Sequence, residues 1–176
     1  MTALQLFSAG TAHAQPPPAQ EYRIKAVFLF NFAQFVEWPP EVFPGPESPL
    51  VIGVLGRDPF GALLDEAVQG EATGTHPLAV RRFRRVDDIG MCHVLFISES
   101  EAPRLERILA GLQGRSILTV GDAEDFAQRG VMIRFFKDKN RIRLRINLEA
   151  ARAARLTISS RLLRPAEIVT GSNDTP

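Results

Sequence analysis

Four short apolar runs, each closed by turn residues, limit what this chain can fold into: LVIGVLG (Leu50 to Gly56), PLAVRRF (Pro77 to Phe83), HVLFIS (His93 to Ser98) and SILTVG (Ser116 to Gly121). Runs this short, rich in Val, Ile and Leu, fit strands better than helices. Helical signals lie between or after them. In RDPFGALLDEAV, Asp58 is expected to cap a helix, Pro59 to take its first position, and Leu63, Leu64 and Val68 to share one side. From Ser100 to Leu112, the residues Leu105, Ile108, Leu109 and Leu112 form an apolar stripe. In DAEDFAQRG, Asp122 is the expected cap, Asp125 the third helical residue and Gly130 the stop. Strands joined by such helices need crossover connections, which give a mainly parallel sheet covered on both faces.

VMIRFFKDKNRIRLRINL (Val131 to Leu148) breaks that rhythm. It reads as a strand, a polar turn at Asp138 to Asn140 and a second strand, a β-hairpin. EAARAARL then begins a final helix, and TISSRLLRPAEIV closes the domain. The expected fold is a single α/β domain over residues 22–169, with a polar tail over 170–176. Its sheet is mixed and mostly parallel, of about five to six strands, with helices on both faces and a C-terminal β-hairpin.

VFLFNFAQFVEWP (Val27 to Pro39) concentrates aromatic surface near the start. From Glu21 to Trp38 there is no Gly or Pro, and Pro39 and Pro40 stop the pattern. Phe28, Phe32 and Phe35 recur at helical spacing beside Leu29, Ala33 and Val36, and Ile24 and Val27 extend the stripe. Only eleven residues separate Lys25 from Glu37, whereas a membrane span needs roughly 20. The segment is therefore expected to be a core helix. Part of its aromatic surface remains available to a second subunit or a membrane-protein partner, with Trp38 as a candidate anchor.

Ahead of this helix, LFSAGTAHAQPPPAQ runs from apolar to small residues and reaches Ala12-His13-Ala14, an A-x-A cleavage pattern, before a Pro-rich spacer. Residues 1–22 hold no Lys or Arg, so the basic front of a signal peptide is missing. An arbitrary small-residue N-terminus has the same composition. The cleavage pattern lies just before the globular pattern begins, which favours export. The expectation is a signal remnant over residues 1–14, a linker over 15–21 and a soluble domain outside the cytoplasm.

The formal net charge of +1 gives no global attraction for nucleic acid. The single cysteine, Cys92, excludes an intrachain disulfide. His93 adjoins it, but neighbours on a strand point to opposite faces, so the two form no dyad, and Cys92 reads as a small core residue. GVLGRDPFG departs from both the dinucleotide and the phosphate-loop patterns. The acidic residues Asp87, Asp88, Glu99 and Glu101 fall at helix starts, where they suit the dipole. Metal-ligand spacing and a nucleophile elbow are also missing. The sequence thus points to no catalytic residue, metal site or cofactor.

Candidate binding residues remain. Arg57 adjoins an expected helix N-terminus, which attracts anions. Arg141, Arg143 and Arg145 alternate with Ile142, Leu144 and Ile146, placing three guanidiniums on one face about 7 Å apart. Such a row suits an acidic patch or a small anionic ligand. It equally suits a solvated face that discourages edge pairing.

The blocks YRIKAVFLFNFAQFVEWP, LVIGVLGRDPFG, LTVGDAEDFAQRGVMIRF and RIRLRINLEAARAARLTISSRLLRPAEIV resemble the YfiR-like family of small periplasmic proteins, in family order from about Tyr22 to Val169. The Glu-Trp-Pro ending of the helix, Ile-Asn-Leu and Ser-Ser-Arg-Leu-Leu make the match specific. The resemblance implies a mixed α/β domain, periplasmic, often a homodimer and without enzyme activity. It implies a repressor that contacts the periplasmic part of an inner-membrane diguanylate cyclase, coupling the envelope to cyclic-di-GMP and biofilm formation. Related domains attached to sensor kinases make a kinase the other implied partner. The founding member is cysteine-rich and uses disulfides as a redox-sensitive element, and this chain departs from it in holding only Cys92. The alternative is a small-molecule-binding module working with a sensor kinase or transporter, its anionic ligand held at the strand ends by Arg57 or by the arginine row.

Overall fold

The computed structural model describes residues 18–169; the signal pattern at Ala12 to Ala14 and the tail after Val169 lie outside them. The aromatic run forms the first helix, α1 (Pro18–Phe35). It starts before the expected Glu21, with Pro18 in its first turn, where a missing N–H is tolerated. It also ends before the expected Trp38. Val36–Glu37 is instead a short strand, β1, paired antiparallel with β9 (Thr157–Ile158). Pro39 biases the residue before it to extended backbone, so the helix cannot run on to Trp38.

The remaining elements are β2 (Leu50–Leu55), α2 (Ala62–Val68), β3 (Ala72–Thr73), β4 (His76–Phe83), β5 (Val94–Ile97), α3 (Leu105–Gly111) and β6 (Leu118–Gly121). Then follow β7 (Ile133–Asp138), β8 (Arg141–Asn147), α4 (Leu148–Ala153), α5 (Ser160–Leu163) and β10 (Glu167–Val169). The main sheet has the order β10-β8-β7-β6-β5-β2-β4-β3. It is parallel from β7 through β4, antiparallel in the β7–β8 hairpin and at β3, and parallel again where β10 joins β8. The expected mixed sheet is present with eight strands rather than five to six. The additional edge strands β3 and β10 are two and three residues long, too short to carry a hydrophobic period.

β5 shows why both faces must be covered. Val94 and Phe96 join Leu29, Phe32 and Phe135 beneath α1, while Leu95 and Ile97 join Leu105, Ile108 and Phe126 on the opposite face. Phe32 is fully buried and stacks on Phe135 at 5.8 Å; truncating such a ring to alanine costs about 3–5 kcal/mol.

Three helical expectations change in the structure. α2 starts at Ala62 because the Asp58 carboxylate accepts the Phe60 N–H and pairs with Arg82 at 2.7 Å, closing a turn instead of capping a helix. Pro103 splits the expected Ser100–Leu112 helix into a 3-10 segment, Glu99–Arg104, capped by Ser98, and α3. Residues 122–130 form successive turns, because Asp122 is drawn away to Lys25 and Tyr22 of α1. The Phe126 ring then packs directly on Gly121, where a Cβ would collide with it.

Candidate functional site

Ligands of open α/β sheets usually enter at the C-terminal strand ends, where the winding direction changes. Here that point lies between β2 and β5, and the chain's own side chains fill it. Gly56 leaves β2 at φ +90°, and Ser100 and Glu101 occupy the space its Cβ would need. Ser100 Oγ accepts the Arg57 N–H at 3.0 Å, and the buried Glu101 carboxylate accepts from Arg104 at 2.9 Å. α1 packs over the same end. Tyr22 lies edge-on to Phe60 at 5.3 Å and donates to Asp122, and Lys25 donates to Asp122 at 2.6 Å. Arg57 is left exposed beside a filled crevice.

The arginine row lies on β8, on the sheet face away from α1, because the alternating Leu144 and Ile146 belong to the core beneath that helix. Lys139 and Asn140 both have positive φ, as a tight two-residue hairpin turn requires. That turn fixes the register Asp138↔Arg141, Phe136↔Arg143 and Arg134↔Arg145. Arg143 reaches Asp138 at 3.5 Å, and Arg145 reaches Glu167 at 2.6 Å while lying 4.9 Å over the Phe136 ring. Arg141 is exposed.

Arg134 was not singled out in the sequence, yet it stands directly opposite Arg145. Like charges in that position repel. Burial and the Arg145 charge both depress the Arg134 pKa, and its Nε has no hydrogen-bond partner among the described residues. Arg134, Arg143 and Arg145 around Phe136 therefore make a face suited to carboxylates. The signal was present in the hairpin, since laying its two strands in register brings Arg134 beside Arg145.

Trp38 is turned inward. It is half-buried, its Nε1 donates to the His93 carbonyl at 3.3 Å, and its ring meets the His93 imidazole edge-on at 6.1 Å. Phe43, from the Pro-rich loop, stacks between His93 at 4.6 Å and His76 at 4.0 Å. His93 Nδ1 accepts the Val51 N–H at 3.0 Å, and burial brings the His93 pKa down to about 4. The ring is therefore neutral at pH 7 with its proton on Nε2. The Val42 carbonyl biases the ring toward protonation, yet Nε2 makes no hydrogen bond among the described residues. On the other face of the sheet, Cys92 is buried against Gly53, and burial pushes its thiol up to about 12.

Among the described residues, no helix is long and apolar enough to cross a membrane, and no group of three or more His, Cys, Asp or Glu could hold a metal ion. The sequence pattern of the YfiR/HmsC-like family matches residues 22–167. No curated protein matches the chain significantly. Ten chains of solved structures do. Among them is the ABC domain in complex with L-Trp from Streptococcus pneumoniae, at 10% identity and a TM-score of 0.56, with 82% of this chain and 60% of that one covered. The match spans less than two thirds of that structure's length, and at this identity the likeness is one of fold.

Proposed function

The chain belongs to the YfiR/HmsC-like family, and on that premise we propose that it is a periplasmic regulator, without catalysis of its own, that binds the periplasmic part of an inner-membrane diguanylate cyclase and represses it. The family match over residues 22–167 carries this reading, since it takes in nearly the whole described domain. Two surfaces support it. The Arg134–Phe136–Arg145 face offers cations to an acidic partner, and an approaching carboxylate would relieve the repulsion between the two guanidiniums. On α1, across the sheet, Ile24 and Val27 are 43% and 48% exposed beside the buried Ala26 and Leu29, an apolar contact suited to a homodimer.

Pull-down of the tagged protein from detergent-solubilised membranes tests the assignment. A cyclase should co-elute with wild type and be lost with Arg134→Glu/Arg145→Glu, whose folding is checked by thermal melting. A sensor kinase in its place would keep the regulator and change its pathway. Recovery of neither would overturn the proposal.

A further inference from the structure

At the end of the sheet opposite the filled crevice, two buried polar side chains make no hydrogen bond among the described residues. His93 and Ser116 immediately precede β5 and β6, at the N-terminal ends of parallel strands, and are 1% and 6% exposed. His93 Nδ1 already accepts the Val51 N–H, so Nε2 carries the proton and is a donor in search of an acceptor. The ring is held by Phe43 stacked on its face and Trp38 at its edge, and turning it over within its plane would give up the Val51 N–H bond to Nδ1. Neither His93 Nε2 nor Ser116 Oγ makes a hydrogen bond among the described residues; the carbonyl of Val42, which lines the cavity beside them, lies near enough to the imidazole to favour its protonation but closes no hydrogen bond with it. Buried polar groups in folded proteins are nearly always satisfied, so two orphans in one place call for a missing partner.

Both residues line the same cavity of about 310 Å³. One water needs only about 10–15 Å³ of such space, so a small organic molecule has room. Arg115 and Arg155 line it as well, with Glu41. Arg115 donates to the carbonyls of Ile89 and Gly90, and Arg155 pairs with Glu41 at 2.6 Å. Arg155 has φ +60° just after α4, a conformation in which glycine is the unstrained choice; the arginine keeps a guanidinium at the cavity mouth. Two cations against one carboxylate leave a single positive charge, which suits a monoanion better than a dianionic phosphate. The imidazole N–H and the hydroxyl, both buried just beneath that lining, complement a carboxylate.

We propose that this cavity binds a small monocarboxylic acid, its carboxylate received by His93 Nε2–H and Ser116 Oγ, with Arg155 at the mouth. The site is separate from the arginine face and from Arg57, and its existence does not depend on the regulator reading.

The test uses the full chain labelled with 15N-histidine and titrated with acetate and pyruvate at pH 7, to about 10 mM, with chloride at equal ionic strength as the control. That ceiling is ~tenfold above a 1 mM dissociation constant. A saturable shift of the His93 Nε2–H resonance with acetate or pyruvate, and none with chloride, is expected. Ser116→Ala should weaken binding by about tenfold, the worth of one hydrogen bond to a charged group. It should leave the ligand-free melting temperature unchanged or raised, because Ser116 Oγ makes no hydrogen bond within the fold. Arg155→Met should also weaken binding, and Arg57→Met should not. The proposal is overturned if neither acid gives a saturable shift, or if Ser116→Ala leaves the affinity intact. It is equally overturned if Ser116→Ala lowers the ligand-free melting temperature, which marks the cavity as an ordered-water site. A failed membrane pull-down would leave each of these readouts unaffected.

Discussion

Replacing Lys25 by methionine should destabilise the fold by about 3 kcal/mol. Lys25 is 3% exposed, yet its ammonium lies 2.6 Å from Asp122, 2.7 Å from Glu21 and 4.4 Å from the Tyr22 ring centre. Removing one member of a buried pair strands the other, at a cost of roughly 3–5 kcal/mol. The low end applies here. Glu21 keeps Lys137 at 2.6 Å, Asp122 keeps the Tyr22 hydroxyl at 3.0 Å, and methionine preserves the apolar stem. At about 2–4 °C per kcal/mol for a domain of this size, the melting temperature falls by roughly 6–12 °C. Urea unfolding of wild type, Lys25→Met, Asp122→Asn and the double variant measures the coupling directly. The double variant should be about as stable as either single one, because it removes both charges together. A loss below about 1 kcal/mol in Lys25→Met, or strictly additive single effects, would refute the reasoning. Glu21, the other carboxylate on Lys25, has a pH signature. Burial raises the Glu21 pKa, but hydrogen bonds from Lys137 and Lys25 together outweigh it and leave the value below the ordinary 4.5. A depressed folded value means stability that is present above 4.5 and lost as pH falls through the folded pKa. Lys25→Met should shrink that acid loss.

Further outcomes follow from the same structure. The His93 ring has a folded pKa of about 4 against an ordinary 6.5, so the unfolded chain binds more protons between those values. Stability should therefore fall as pH drops from 6.5 toward 4, by at most about 1.4 kcal/mol per pH unit, and a folded His93 seen by NMR to protonate near 6.5 would contradict this. The Cys92 thiol should react with a disulfide reagent only at the rate of unfolding, given its burial and a pKa near 12; rapid labelling in native buffer would count against it. Gly53→Ala would place a Cβ 2.8 Å from both Cys92 Sγ and the Phe83 ring, so urea unfolding should show a loss of about 1–3 kcal/mol. Full stability would mean that these neighbours yield.

The central sheet was legible because period and turn chemistry act locally. LVIGVLG, PLAVRRF, HVLFIS and SILTVG fall within a residue or two of β2, β4, β5 and β6, and the hairpin lies where alternation placed it. What escaped depends on partners far along the chain. Asp58 and Asp122 have the look of helix caps, but their carboxylates are claimed by Arg82, 24 residues on, and Lys25, 97 residues back. The strand pair β1 and β9 exists only because Val36 meets Ile158. The arginine row was visible as a face, whereas its opposing Arg134 required the hairpin register. His93 was legible as the first residue of a strand, beside Cys92. Its ring environment comes from Trp38, Phe43 and Val51, none of which its own strand specifies.

Cyclic-di-GMP should be measured in a strain lacking the protein, and in the same strain complemented with wild type or with the Arg134→Glu/Arg145→Glu variant, after export of each has been verified. Repression of a membrane cyclase predicts raised cyclic-di-GMP on deletion, restored by wild type and not by the charge-reversed face. Unchanged cyclic-di-GMP on deletion would contradict the assignment as a cyclase regulator.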